Sequence, residues 1–353
     1  MRVSAMFDNS SYDAHEGVHF FHDEESGLRA VIAIHSTALG PSAGGTRMWD
    51  YPDSSAMITD VLRLSQGMSY KNAMASIPHG GGKAVIWGNS KTDKSEKLFR
   101  AFGRAVESLQ GRYWTAEDVG IDTADIEIAA QETRYAAGLT TSDAASGDPS
   151  PVTALGVFRG IKQAAARAFG NDDLSNRTVA VQGVGSVGGY VCQYLAEAGA
   201  KLVVCDVDKE ALALVEQRDG AAVVGIDEIY DIDADIFSPN ALGAIINEDT
   251  LKRLKVKVIA GGANNQLVIP QMGELVRRAG IVYVPDYVIN GGGIINVAAE
   301  ISGTYSRPWV DQKLDALMDT LGQVLDEATR TDRPTNAVAD DIARARIAAG
   351  KTT

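Results

Sequence analysis

The sequence is short of what a disulfide scaffold, a membrane span or a zinc module requires. It has two cysteines, Cys192 and Cys205, in 353 residues. That is too few for a disulfide framework and points to a reducing, cytoplasmic setting. No run of about 18 apolar residues occurs, so no membrane-spanning helix is expected. The opening stretch Met1–Asp8 has no long apolar segment and reaches an acid early, unlike a secretory leader. Histidine is scarce: His15, His19, His22, His35 and His79 show neither HExxH nor cysteine-paired spacing. His15, His19 and His22 lie close together but read as a partly exposed N-terminal strand region, and no metal is expected. Positive charge is also short. Lys and Arg total 33 against 46 Asp and Glu, a formal charge of −13, which argues against nucleic acid as a partner.

Glycine, at 36 residues, and an ordinary apolar fraction of 45% are what the chain does have. Its length exceeds one ordinary core and fits two domains. Residues from Gly17 to His35 alternate in polarity around a turn at Asp23–Gly27, which predicts a hairpin. Ile58, Val61, Leu62, Ser65 and Met68 follow helical spacing over Ser55–Asn72, with Lys71 in the last turn. Gly80-Gly81-Gly82 leads through Lys83 into a strand, Ala84–Trp87. A helix is expected over Ser95–Gln110 and a short strand over Tyr113–Ala116. The first part is therefore mixed α and β.

A boundary is expected near Ala145-Ser146-Gly147-Asp148-Pro149-Ser150-Pro151, with Thr153 capping a helix that runs to Phe169. Beyond it strands and helices alternate: strand Thr178–Gln182, helix Gly188–Ala198, strand Lys201–Asp206. Further strands are expected at Ala234–Phe237, Val256–Ala260 and Ile281–Val284. This is the pattern of a parallel sheet with crossover helices. Val310, Leu314, Leu317, Met318, Leu321, Val324 and Leu325 form one stripe of a long helix, and a last helix spans about Ala337–Ala349. The division expected is 1–145 for substrate and oligomerisation, 146–330 for a doubly wound dinucleotide-binding domain, and 331–353 for a helix packing back on the first domain.

Gly183-Val184-Gly185-Ser186-Val187-Gly188 is a GxGxxG hexapeptide, weak evidence by itself. Here a strand precedes it and a helix follows, the context that makes it informative. The first glycine permits the tight turn, the second lets backbone approach a pyrophosphate, and the third lets helix pack on strand. The helix N-terminus adds unpaired N–H groups and partial positive charge. Asp206 ends the next strand, where a carboxylate accepts from ribose hydroxyls and repels a 2′-phosphate. The expected cofactor is NAD rather than NADP.

Chemistry then falls to the first part of the chain. Lys83, between a glycine run and Ala-Val-Ile-Trp, is a lysine expected to be buried. A desolvated lysine holds its proton less tightly and can serve as a base, with a nearby carboxylate sharing the proton. Lys71 and Asp118 are the other charged candidates.

Several segments carry a more specific likeness: Ala38–Met48, Tyr70-Lys71-Asn72-Ala73, Gly80-Gly81-Gly82-Lys83, Thr115–Gly120, Ser150–Ala154, Gly262–Gln266 and Pro285–Asn296. In this order, from about Gly17 to Glu300, the chain resembles the leucine/phenylalanine/valine/glutamate dehydrogenase superfamily, leucine dehydrogenases most of all. The resemblance implies a mixed α/β substrate domain and a Rossmann-type NAD domain, with the substrate in a cleft between them that closes for hydride transfer. It implies that Lys71 binds the substrate α-carboxylate, that Lys83 activates the attacking water, and that Asp118 exchanges protons with the amino group. Gly44 and Gly45 would let backbone approach the substrate. Thr153 and Asn264 would lie near the nicotinamide, and Ala241 near the cofactor. Family members are homo-oligomers, dimers or octamers.

The same likeness bears on the substrate. Glutamate dehydrogenases have a lysine where this chain has Ala43 and a serine where it has Val297. Ala43, Ala116, Ile294 and Val297 would instead line an apolar pocket, so that an apolar L-amino acid is deaminated to its 2-oxo acid, ammonia and NADH. Ala116 resembles leucine dehydrogenases. Ala43 is smaller than their usual leucine and Ile294 larger than their valine, which keeps valine, isoleucine and phenylalanine open. A hydroxyacid dehydrogenase would need a His–carboxylate or Arg constellation that is not seen. A silent NAD-binding protein would show damage at Lys83 or Asp118, and both are intact.

Overall fold

The computed structural model describes residues 6–139, 148–303 and 305–351. The chain divides into two compact units. The first is Met1–Gly147 with Ile294–Val310 and Ala343–Thr353, and the second Asp148–Gly293 with Asp311–Ile342. Of the expected boundary, Ala145, Ser146 and Gly147 lie outside the described residues.

The first unit opens with the expected hairpin, β1 (Gly17–Asp23) antiparallel to β2 (Leu28–Ser36). Then come β3 (Ser42–Ala43), β4 (Thr46–Trp49), α1 (Ser54–Met74), β5 (Gly80–Trp87), α2 (Glu96–Glu107), β6 (Tyr113–Trp114) and α3 (Thr123–Ala129). The sheet order is β1-β2-β5-β3-β6, with β4 also beside β5. Asp53 caps α1 by accepting from Ala56 N, and Ser95 caps α2 by accepting from Leu98 N. His15 precedes the hairpin strands rather than sharing them. It is buried, its Nε2 3.0 Å from both Leu62 O and Ser65 Oγ, because the close approach of α1 covers it.

Alternation along β2 and β5 explains the packing. Ala30, Ile32, Ile34, Ala84 and Ile86 face a core with Phe99, Phe102 and Ile126 from α2 and α3. Val31, Ala33 and Val85 face the other way, into a second core with Met57 and Val61 of α1. A strand covered on both faces is apolar at every position, so period two is lost from its composition.

The glycine run, expected to lead into the strand at Ala84, is itself part of it. Gly80–Gly82 are the first three residues of β5. A Cβ at Gly80 would lie 1.9 Å from Ser36 O, and one at Gly81 2.0 Å from Ser69 N. The missing side chains let β2 and α1 press directly on the strand backbone.

The second unit holds α4 (Ser150–Phe169), β7 (Thr178–Gln182), α5 (Ser186–Glu197), β8 (Lys201–Cys205), α6 (Lys209–Asp219) and β9 (Ala222–Val223). It continues with β10 (Ile236–Pro239), α7 (Glu248–Arg253), β11 (Val258–Ile259), α8 (Met272–Arg278), β12 (Val282–Tyr283) and α9 (Asp286–Ile289). All its strands run parallel in the order β9-β8-β7-β10-β11-β12. That is the Rossmann order, with the direction of winding reversing between β7 and β10. Thr153 does not cap α4. The helix already starts at Ser150, with Pro151 in the first turn where its missing N–H is harmless, and Thr153 Oγ1 donates to Pro149 O at 3.0 Å.

Three helices close the chain: α10 (Gly292–Ile301), α11 (Arg307–Thr331) and α12 (Thr335–Gly350). The predicted stripe of α11 is buried along its whole length. Cys192 on α5 and Cys205 on β8 are free thiols, which burial pushes up to about 12 and about 11. Among the described residues no helix is long and apolar enough to cross a membrane.

Phe102 is fully buried and Phe20 is 59% exposed. Phe102→Ala is therefore expected to cost about 3–5 kcal/mol in urea unfolding, and Phe20→Ala less than about 0.5 kcal/mol. Similar losses for both would contradict the packing described.

Candidate active site

The charged site is assembled on the first unit by strand pairing. Ser42–Met48 runs beside Arg112–Val119: Ser42 N donates to Arg112 O at 2.9 Å, Thr46 N to Ala116 O at 2.8 Å, and Met48 N to Val119 O at 2.9 Å. Only Tyr113–Trp114 of the expected Tyr113–Ala116 strand is regular, but the pairing continues past it and carries Asp118 toward β5. Lys83 has the parity of Val85 on β5, so it projects to the α1 side of the sheet.

The result is an ion pair. Lys83 Nζ lies 2.9 Å from Asp118 Oδ2, with Lys83 only 5% exposed. Arg47, on β4, brings Nε to 3.3 Å from the same Oδ2. Burial by itself would raise the Asp118 carboxyl. The Lys83 ammonium and Arg47 guanidinium outweigh it and hold the group below the usual carboxylate range. Arg47 also reaches Asp60 Oδ2 on α1 at 3.1 Å, and Tyr51 Oη donates to that oxygen at 2.6 Å. Burial, and then the bond to Asp60, raises the Tyr51 hydroxyl and keeps it a donor.

Arg47, Asp60 and Tyr51 were not singled out from sequence. Arg47 stands inside the Gly44-Gly45-Thr46-Arg47 motif. Its charge two residues beyond Gly45, on the same strand face, was the available signal.

Gly44 and Gly45, expected to let backbone approach the substrate, also admit close approach of the protein itself. A Cβ at Gly44 would sit 2.0 Å from Gly82 O, and one at Gly45 2.4 Å from Glu117 O and 2.9 Å from Asp118 Cβ. Without these two glycines β5 and the Asp118 segment could not close on the Ser42–Met48 strand.

Lys71 lies half-buried in the last turn of α1. Next to it, Asn72 Nδ2 donates to Ala43 O at 3.3 Å and Gly80 O at 2.6 Å, tying the helix end to β3 and β5. Arg346 of α12 donates to Ala73 O at 3.0 Å and Met74 O at 3.2 Å, satisfying carbonyls that the helix end leaves open. Ala43 and Ala116 are buried in this unit. Ile294 and Val297, one helical turn apart on α10, are half-buried and belong to the same unit.

The dinucleotide cradle is on the second unit. Gly183 follows β7 with φ +91°, open to glycine rather than to a side chain. A Cβ at Gly188 would strike Gly183 O at 2.0 Å, so this glycine lets α5 pack on the turn. Gly185 is different. A Cβ there would meet no protein atom within 4 Å, so nothing in the protein demands glycine at that point. Gly185 is also the residue preceding α5, and no side chain caps that helix start, where Ser186, Val187 and Gly188 follow. An anion approaching the backbone accounts for both facts, and the residues therefore fit a pyrophosphate.

Asp206, after β8, is locked against this loop. Its Oδ2 accepts from Val184 N at 2.6 Å and its Oδ1 from Asp208 N at 2.9 Å. Ala241, after β10, packs on Gly183, across the reversal point from β7. Asn264 Oδ1 accepts from Asn290 Nδ2 at 2.7 Å, and Thr153 lies against Gly292 and Gly293.

Comparison with known proteins agrees with both halves. A family model described as Glu/Leu/Phe/Val dehydrogenase, dimerisation domain, matches residues 15–135. A second, described as Glutamate/Leucine/Phenylalanine/Valine dehydrogenase, matches residues 146–216 and 205–351. The chain belongs to the Glu/Leu/Phe/Val dehydrogenase family. It is 51% identical over 337 residues to the leucine dehydrogenase of Geobacillus stearothermophilus, covering 96% of this chain and 91% of that relative. It is 43% identical over 343 residues to the valine dehydrogenase of Streptomyces coelicolor, covering 96% and 94%. Among solved structures, L-tryptophan dehydrogenase from Nostoc punctiforme superimposes with a TM-score of 0.83 at 42% identity, covering 96% of this chain and 97% of that one. The family expected from the motifs is thus the family found, and this member is an NAD-dependent amino acid dehydrogenase with a Rossmann-type NAD-binding unit.

A depressed Asp118 stabilises the fold fully above the ordinary carboxylate pKa, and that contribution is lost as pH falls through the lower folded value. Wild-type stability is expected to decline more steeply than that of Asp118→Asn from about pH 5 downward. Parallel decline in chemical denaturation across that range would show that the ion pair adds nothing.

Proposed function

We propose that this dehydrogenase oxidatively deaminates branched-chain L-amino acids, leucine foremost, to the 2-oxo acid and ammonia, reversibly. The observation that carries the reading is the ion pair of buried Lys83 with Asp118 in the unit that also supplies the apolar side chains of Ala43, Ala116, Ile294 and Val297. The leucine and valine dehydrogenases among the relatives support the same substrate class.

In this reading Lys71 holds the substrate α-carboxylate as a point charge fixed by a helix end that Asn72 and Arg346 brace. NAD bound in the second unit would supply the acceptor for the hydride leaving the substrate Cα. Lys83 orients and activates the water that adds to the resulting iminium carbon, and Asp118 exchanges protons with the departing amino group. Gly183, Val184, Gly185, Ser186, Val187 and Gly188 would hold the pyrophosphate and Asp206 the adenosine ribose, with Thr153 and Asn264 near the nicotinamide and Ala241 near the cofactor. Burying a side-chain carboxylate among Ala43, Ala116 and Val297 without a partner would cost on the order of 3–5 kcal/mol, which disfavours glutamate.

The small Ala43 favours a second reading, a broader profile that includes aromatic substrates, and the tryptophan dehydrogenase relative points the same way. We also read the chain as a homo-oligomer, because the model matching residues 15–135 is described as a dimerisation domain. The two buried free thiols support a reducing, cytoplasmic setting.

NADH formation at alkaline pH with leucine, isoleucine, valine, phenylalanine, tryptophan and glutamate tests this. Branched-chain substrates are expected to be fastest and glutamate inert. No NADH from any apolar amino acid would reject the function. Lys83→Ala should lose about 100- to 10,000-fold in kcat while still binding NAD, and normal turnover would remove its role. Ala43→Leu should reduce kcat/KM for phenylalanine relative to leucine by about 10-fold, and an unchanged ratio would take Ala43 out of the pocket.

A further inference from the structure

The carboxylate of Asp118 has a second neighbour that the proposed chemistry does not use. Arg47 contacts it through Nε at 3.3 Å and contacts Asp60 through a terminal nitrogen at 3.1 Å. Asp60 is itself held by the Tyr51 hydroxyl at 2.6 Å. Tyr51 is buried, while Arg47, Asp60 and Asp118 are each about a quarter exposed. The result is a continuous row, Tyr51–Asp60–Arg47–Asp118–Lys83, with two cations and two anions in alternation.

The two ends of this row differ in what they can do for Asp118. Lys83 is a compact ammonium on a flexible stem, so its attraction fixes how near the carboxylate lies but not how it is turned. Arg47 is a planar fork gripped at two points by carboxylates on different elements. Asp60 belongs to α1, and Asp118 follows β6. A guanidinium pinned in this way sets a direction as well as a distance. Both cations approach Oδ2, Lys83 at 2.9 Å and Arg47 at 3.3 Å. Asp60 also offsets the second positive charge.

We propose that Arg47 is a positioning residue for the amination chemistry, clamping Asp118 in the rotamer that presents its carboxylate to the substrate amino group, with Asp60 and Tyr51 as its anchor. This rests on the proton-exchange role given to Asp118 above. Arg47 touches no reacting atom, and its loss acts through the misdirection of a carboxylate. A misplacement of about 1 Å at such a group costs about 100-fold in rate.

The test is steady-state kinetics on the full chain with leucine and NAD, alongside NAD affinity and Tm for each variant. Arg47→Met is expected to lower kcat by about 10- to 100-fold, with KM for leucine and NAD affinity within about threefold of wild type. Arg47→Lys keeps the charge but not the fork and should fall between wild type and Arg47→Met. Asp60→Asn and Tyr51→Phe, which leave Arg47 and Asp118 in place, should each lower kcat by about three- to tenfold with KM unchanged. Wild-type kcat in Arg47→Met, or KM rising in step with the loss of kcat and a falling Tm, would overturn the proposal. If Arg47→Met does not fold, the anchor variants decide, and wild-type kcat in both overturns it. Failure of the underlying reading looks different: wild-type protein would then yield no NADH from leucine at all.

Discussion

A lysine with one-twentieth of its surface exposed needs a counter-charge within reach. Desolvating an ammonium costs several kcal/mol, and only a well-placed anion offsets it. In this chain the anion is Asp118, and much of the first unit is arranged so that it reaches Lys83 at 2.9 Å. Gly80 brings β5 against β2, and Gly81 brings it against α1. Gly44 and Gly45 bring the neighbouring strand against β5 and against Asp118. Any side chain at these positions would hold the backbones apart by more than an ion pair tolerates. Arg47 then makes the pair a network by tying Asp118 back to α1, the helix that carries Lys71.

The second unit uses close backbone approach for another purpose. Gly183 and Gly188 serve the protein, one by its φ and one by helix packing, whereas Gly185 faces no protein atom. The division separates the glycines that the turn requires from one that the protein's own packing does not. The strand order puts this turn, and Ala241 after β10, on either side of the point where the winding reverses, which is where open parallel sheets take ligands. Binding and chemistry are thus assigned to different units. In the function proposed above, backbone groups would grip the cofactor and side chains the amino acid. That fits a family whose members share a cofactor and differ in substrate.

Local pattern was enough for the elements and for the cofactor half. The strand, glycine turn and helix around Gly183 are contiguous in sequence, and Asp206 follows at the end of the next strand, so neighbouring residues carry the whole signal. The stripe of α11 and the hairpin of β1 and β2 were legible for the same reason. Boundaries were less so. The strand was expected to begin after Gly80–Gly82 because glycine weakens an isolated strand, and only contacts from Ser36 and Ser69 show why it begins at Gly80 and Gly81. His15 reads as part of an edge strand, and α1 covers it.

For the charged site, sequence determined the residue types and tertiary structure their partnership. Lys83 was identified by its flanks, and Asp118 by a family motif. That they meet on one carboxylate oxygen depends on parallel pairing between Ser42–Met48 and Arg112–Val119, a contact distant in sequence. Arg47 shows the limit most clearly. Within its motif it is one charge among several, and only folding shows that it spans Asp60 and Asp118. The membership of Ile294 and Val297 in the first unit was likewise decided by the return of the chain. An ion pair or a pocket wall is set by distances of a few ångströms between elements, and a linear pattern encodes such distances only where the elements are consecutive.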